Sequence, residues 1–147
     1  MPTKHQILGQ SGEVRVVKAC SCPHCKRPKM LRRLPTNFKC ADVICDFCGF
    51  LAQVKSVTSA DITKIPATEL GAAWSVKKAR MDAGINFPLF LVLICDRKSA
   101  IYYLSADVQK PEMFKPRKPL SAKARRAGWQ GFLYSLKNVK MAFVRIF

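Results

Sequence analysis

The clearest pattern along this chain is a continuous apolar run at 87–95, centred on PLFLVLI. It has strand length and no polar alternation, which predicts a central strand covered on both faces. Residues 38–44 and 50–57 alternate instead, and they predict two strands joined by the turn CDFCG. A further strand is predicted at 100–104, AIYYL, after the turn Asp96-Arg97-Lys98-Ser99. Final strands are predicted at 132–136 and 141–147. A helix is predicted from Pro66 or Thr68 to about Asp82, with Gly84 as its stop. Its apolar stripe would use Leu70, Ala73, Trp74 and Met81, leaving Lys77, Lys78 and Arg80 outward. Residues 1–11 carry little pattern and read as poorly structured, and 12–18 reads as a short strand or a helix end. Residues 30–37 read as a basic connector, 60–66 as a loop, and 109–120, with three prolines, as a segment without a regular element. Ser121 reads as the cap of a short turn. No repeat or low-complexity linker divides the chain, so one domain over 1–147 is expected.

Composition adds a partner. The 147 residues hold 26 Lys and Arg against 9 Asp and Glu, a net charge of +17 that points to a polyanion such as nucleic acid. The charges are dispersed and form no basic amphipathic helix, which argues against a membrane surface. No apolar run approaches the roughly 18 residues of a membrane span. The N-terminal MPTKHQILGQSGE has no apolar signal core, so a cytoplasmic protein is expected.

Six of the seven cysteines fall between positions 20 and 48. Cys22-Pro-His-Cys25 and Cys45-Asp-Phe-Cys48 form two CxxC pairs with 19 residues between them. Each pair lets two thiolates approach one tetrahedral ion from a tight turn, and four thiolates leave no open position, so a structural zinc is predicted. Gly49 supplies the backbone freedom such a turn needs. Cys20 and Cys40 have no partner at that spacing. His24 reads as a solvated turn residue, and Cys95, closing an apolar strand, as a small core residue.

Asp42 is an acid inside an apolar, strand-like segment, where it must be exposed, paired or metal-bound. Gln53 and Lys55 are two apart on the facing arm and share one sheet face. A carboxylate, an amide oxygen and an ammonium around one point could hold Mg²⁺ on Asp42 and Gln53, with Lys55 orienting or deprotonating water beside a phosphodiester. The same three residues also read as a surface pair across a hairpin.

The segment at 117–131, RKPLSAKARRAGWQG, together with CPHC, ADVICDFC and QVKS in that order, resembles the catalytic domain of DpnI-like restriction endonucleases and the Dam-replacing family. That resemblance covers the chain from about residue 12 onward and implies the PD-(D/E)xK nuclease superfamily. It implies an α/β restriction-endonuclease core, a mixed central sheet flanked by helices, with the zinc site inserted at 22–48. By the resemblance, Cys22, Cys25, Cys45 and Cys48 hold structural zinc, Asp42 is the catalytic acid, Lys55 the motif lysine, and Glu13 a supporting acid. The function implied is a Mg²⁺-dependent type II restriction endonuclease in bacteria, acting on double-stranded DNA as a monomer or transient dimer. Arg125, Arg126 and Trp129 read as a phosphate clamp, with Trp129 reading equally as core. Lys118, Lys77 and Arg80 are further DNA-contact candidates, and Arg32, Arg33 and Lys78 extend the positive surface.

Two departures matter. Gln53 stands where DpnI-like enzymes carry Glu, which replaces a charged ligand by a neutral one. The family's winged-helix domain has no counterpart within 1–147, so recognition sequence and adenine-methyl dependence stay open. The competing reading is a non-catalytic nucleic-acid-binding zinc protein with a degenerate nuclease centre, and an RNA-binding ribosomal type is a third.

Overall fold

Order begins earlier than the pattern suggests. In the computed structural model, which describes residues 1–38 and 41–147, helix α1 spans Lys4–Ala19. Thr3 and Gln6 form a reciprocal capping box: the Gln6 amide donates to Thr3 Oγ1 at 3.2 Å, and the Thr3 amide donates to Gln6 Oε1 at 2.7 Å. The expectation of an unstructured start is therefore corrected. Gly9, Gly12 and the β-branched Val14, Val16 and Val17 are poor helix formers and hide the period. The helix survives through packing, with Val16 fully buried.

The chain divides into two compact units. The first comprises Met1–Lys64, Phe87–Ala106 and Phe143–Phe147. Besides α1 it holds β1 (Leu31–Arg33), β2 (Val43–Cys45), β3 (Leu51–Thr58), β5 (Leu89–Cys95), β6 (Lys98–Leu104) and β9 (Val144–Arg145). The strand β4 (Thr68–Ala73) lies between β3 and β5 in sequence and belongs to the second unit. The sheet order is β1-β2-β3-β5-β6-β9. β3 and β5 run parallel and the other neighbours antiparallel, so the sheet is mixed.

β5 is buried on both faces from Leu89 to Ile94, as its unbroken apolar run predicts. On one face Phe90, Val92 and Ile94 join Leu31, Val43, Ala52 and Ile101 beneath Val16 of α1. The basic connector expected at 30–37 contributes β1. The first alternating segment is shorter than expected, since β2 begins only at Val43.

Gly12 seats α1 on β3. A Cβ there would overlap Ser56 Oγ and meet Val54 Cγ1 at 3.6 Å. The absent side chain lets the helix backbone lie directly over the strand. Ser56 Oγ is buried and makes no hydrogen bond.

The second unit, Ile65–Asn86 and Asp107–Ala142, holds β4, helix α2 (Trp74–Asp82), β7 (Phe114–Pro116) and β8 (Gly131–Ser135). Its antiparallel sheet has the order β4-β8-β7. The helix expected from 66 or 68 thus starts at Trp74. Thr68, Glu69 and Leu70 pair instead with Ser135, Tyr134 and Leu133. Gly71 admits the Phe132 ring, which any Cβ there would strike. Pairing with β8 overrides the helical propensity of the segment. The stop is at Gly84, φ +72°, after the C-cap Ala83. The proline-rich segment holds the short strand β7, against the expectation of no regular element. Phe114 packs edge-on to both Phe132 and Tyr134 there, with centroids 6.0 and 5.7 Å away. Among the described residues no helix is long and apolar enough to cross a membrane.

Candidate functional site

The four cysteines of the two CxxC pairs converge. Their sulfurs all lie within 4.8 Å of one another. Cys22 Sγ is 3.6 Å from Cys48 Sγ, and Cys25 Sγ is 3.7 Å from Cys45 Sγ. A tetrahedron of Zn–S bonds of ~2.3 Å has edges of ~3.8 Å, so these spacings fit one ion. The turns aim amides at the sulfurs, with Cys25 N donating to Cys22 Sγ at 3.5 Å. Gly49, φ +78°, closes the second turn by donating to Cys45 O at 2.9 Å. Burial pushes the Cys22 thiol up, whereas at Cys45 the effect of burial is outweighed by the amides of Cys48 and Phe47 and the thiol is lowered.

The other thiols lie outside this cluster. Cys20 is buried and its thiol raised to about 11 by burial. Cys95 is half-buried, with its sulfur 3.9 Å from Ala60 O. His24 is exposed. Cys40 lies outside the described residues.

Asp42 lies three residues before Cys45, where β2 meets β3. Its amide donates to Ala52 O at 3.0 Å, and its Oδ2 accepts from Val54 N at 2.8 Å, so it straddles Gln53. Its own carbonyl accepts from Leu34 N at 2.9 Å. The carboxylate thus takes the place of a ladder carbonyl where β2 gives out. Burial raises the Asp42 carboxyl, opposed by the Val54 amide.

Glu13, the residue after Gly12, faces this corner from α1. Its carboxyl is raised first by burial and then by the charge of Asp42, and the Arg33 guanidinium opposes both. Arg33 Nη2 lies 3.3 Å from Glu13 Oε2. The fold therefore joins an acid from a helix, an acid from a strand end and an arginine from β1. Two half-buried carboxylates that repel each other form an oxygen set that a cation would relieve.

Gln53 and Lys55 are half-buried neighbours on one face of β3, and Gln53 N donates to Pro88 O at 2.9 Å. Alternation puts them opposite Val54 and Ser56, whose face α1 covers. Asp42 bonds between these faces, at the level of the sheet. Glu13 and Asp42 are thus coupled through their charges, and Asp42 and Gln53 through the backbone.

The DNA-contact candidates Lys77, Arg80, Lys118, Arg125, Arg126 and Trp129 all belong to the second unit. Lys77 does not lie outward: it is buried, its Nζ 3.6 Å from the Phe114 ring centroid. Burial and then the Arg80 charge lower its pKa to about 8. An ammonium enclosed in this way is removed from the phosphate contacts. Arg80 is half-buried, while Lys118, Arg125 and Arg126 are exposed. The Arg126 guanidinium lies 4.6 Å from the half-buried Trp129 ring.

Three participants escaped the sequence reading: Arg33 as the partner of Glu13, the Val54 amide as the anchor of Asp42, and Gly12 as the seat of the helix. The capping box at Thr3 and Gln6 is the signal that could have extended α1 through residue 13 and turned it toward β3.

Fold and site together define a mixed α/β protein whose four-cysteine cluster could hold a metal such as zinc. A family model described as DpnI, Dam-replacing family, matches residues 3–147, and the chain belongs to that family, the DpnI-like restriction endonuclease group. Membership suggests a restriction-type nuclease with DNA as its substrate. A comparison with curated proteins finds no match.

Proposed function

We propose that this protein is a Mg²⁺-dependent DNA endonuclease of the PD-(D/E)xK type, with its cleavage centre at Asp42, Gln53, Lys55 and Glu13 and zinc on the four thiolates. The observation that carries this reading is the Glu13–Asp42 pair: burial and mutual repulsion raise Glu13, and burial raises Asp42. Arg33 offsets only part of that cost, which a divalent ion would reduce further, and the pair occurs in a chain of a nuclease family.

The residues fit a hard divalent ion, since all their donors are oxygens. Asp42 and Gln53 Oε1 would hold magnesium, with Glu13 a supporting acid from the α1 side, and the ion when bound would polarise a phosphodiester and acidify water. Asp42 contributes one oxygen while the Val54 amide fixes the other. Arg33 holds Glu13 toward the corner. Lys55 orients the attacking water or stabilises the charge that develops on phosphate. Lys118, Arg125 and Arg126 hold the DNA backbone electrostatically. The two units act together as one nuclease domain, in a cytoplasmic protein that meets DNA as a monomer or transient dimer. The family's link to adenine methylation makes methyl-directed cutting part of the proposal.

Plasmid DNA with and without adenine methylation tests this directly. Cutting with Mg²⁺, none without it, and none by Lys55→Ala is the expected result. Intact plasmid and intact bacterial genomic DNA under every condition would overturn it. One observation favours a second reading: Gln53 is neutral where the family pattern has an acid, so a DNA-binding zinc protein with a silent centre would bind these DNAs and cut none.

A further inference from the structure

The two cysteine turns differ at their tips. The first carries Pro23 and His24 between its ligands, and the second carries Asp46 and Phe47. A thiolate turn uses backbone amides, so neither position requires a particular side chain. Phe47 is nevertheless a large apolar ring, 57% exposed. It meets Arg27, just past the first turn, whose guanidinium carbon lies 3.7 Å from the ring centroid. The contact bridges the two turns and holds a cation over an aromatic face.

The surroundings are basic. Five of the eight residues at 26–33 are Lys or Arg and none is an acid. Lys26, Arg27, Lys29 and Arg32 are exposed. Asp46 supplies a single negative charge 3.9 Å from Arg32. An exposed ring amid cations suits a partner that is anionic and also carries apolar surface beside its charges. Nucleic acid combines the two, with phosphates for the cations and bases and sugars for the ring.

We propose that the Phe47–Arg27 stack is a DNA-contact element distinct from the cleavage centre. Phe47 lies against a base edge or deoxyribose in a groove of duplex DNA, and Arg27, Lys26 and Lys29 hold the flanking phosphates. The inference deepens the nuclease reading and rests on it for the choice of DNA. Cys45 and Asp42 are three residues apart in extended chain, about 10 Å. The stack therefore lies past the end of β2 that is remote from Asp42.

Binding of a labelled mixed-sequence duplex, followed by anisotropy with Ca²⁺ in place of Mg²⁺, tests this without cutting. Phe47→Ser weakens binding about tenfold with an unchanged salt slope, and Phe47→Trp restores it. Arg27→Gln weakens binding several-fold and reduces the salt slope by about one. Zinc content, measured alongside, stays at the wild-type value in all three. Wild-type affinity and salt slope in both Phe47→Ser and Arg27→Gln would overturn the proposal, as would tighter binding of a structured RNA than of the duplex. The nuclease reading fails separately: a wild type that never cuts, yet loses duplex affinity on Phe47→Ser, sinks catalysis and leaves this element standing.

Discussion

Cys45 and Asp42 stand three residues apart on one stretch of chain, yet the two sites they serve are built in opposite ways. The thiolate cluster draws on two tight turns, each bringing a pair of ligands already spaced by the backbone. The acidic corner draws on a helix, a strand end and, in the proposed centre, one face of a neighbouring strand. Local geometry spaces each thiolate pair and β1–β2 pairing brings the two turns together, whereas the acidic corner also requires α1 to be seated. The four thiolates would fill the coordination shell of one zinc ion and leave no open position. The carboxylates are held close, half-buried and mutually repelling, so their free energy falls when something positive arrives.

The largest expected effect separates the two sites. Asp42→Asn lowers the cleavage rate by about a thousandfold, roughly 4 kcal/mol of barrier, and leaves zinc content unchanged. The same change raises the melting temperature of protein without divalent ion near neutral pH. The sign follows from the raised folded pKa. Between the unfolded value and the folded one, the native state holds more protons, so stability falls as pH rises through that window and stays reduced above it. Removing the titrating group removes the penalty. An Asp42→Asn protein that melts lower than the wild type would break the comparison.

Next comes the other end of the segment. Cys45→Ser releases the zinc and costs on the order of 3–4 kcal/mol, read by metal analysis and denaturant melts. The effect is local at first: amide exchange rises in the cysteine turns at 22–25 and 45–49 before it rises in β5, which is buried on both faces from Leu89 to Ile94. Simultaneous loss of β5 protection would count against a local staple.

A buried charge in the second unit serves as a control. Lys77 titrates near 8 in the fold and near 10.5 when exposed. The unfolded chain binds more protons between those values, so wild-type stability rises with pH across them, and the full penalty stands below about 8. Lys77→Met is therefore more stable by about 2 kcal/mol at pH 7, with the gap closing toward pH 10. The contact with Phe114 offsets part of the burial cost. The smallest effect is at Gln53. Gln53→Glu restores a charged oxygen and lowers the Mg²⁺ concentration for half-maximal cutting by about tenfold. An unchanged Mg²⁺ requirement would remove Gln53 from the ion.

The contrast also explains what could be read from the chain. CxxC spacing is a local statement, so the thiolate cluster was visible before any fold was known. β5 was visible because both its faces are buried, which leaves an apolar run with no gap. Thr68–Ala73 reads as helix because its residues suit one, and only β8, about sixty residues later, makes it a strand. Lys77 reads as outward because the stripe around it is weak and its cover, Phe114, comes from a segment distant in sequence. Glu13 entered only through family resemblance. Its neighbour Asp42 and its partner Arg33 are 29 and 20 residues away, and no periodicity links a helix to a strand end.

Gly12 gives the acidic corner a further property. With no side chain between α1 and Ser56, the helix rests at its lowest height over β3, and Glu13 is carried at that height. A methyl group at position 12 would act as a shim, lifting the carboxylate by a fraction of an ångström. Mg²⁺ needs oxygens at ~2.0–2.1 Å in a near-ideal octahedron, whereas Ca²⁺ accepts 2.3–2.6 Å and looser geometry. In the proposed centre helix height would therefore tune ion choice, with glycine favouring the smaller ion.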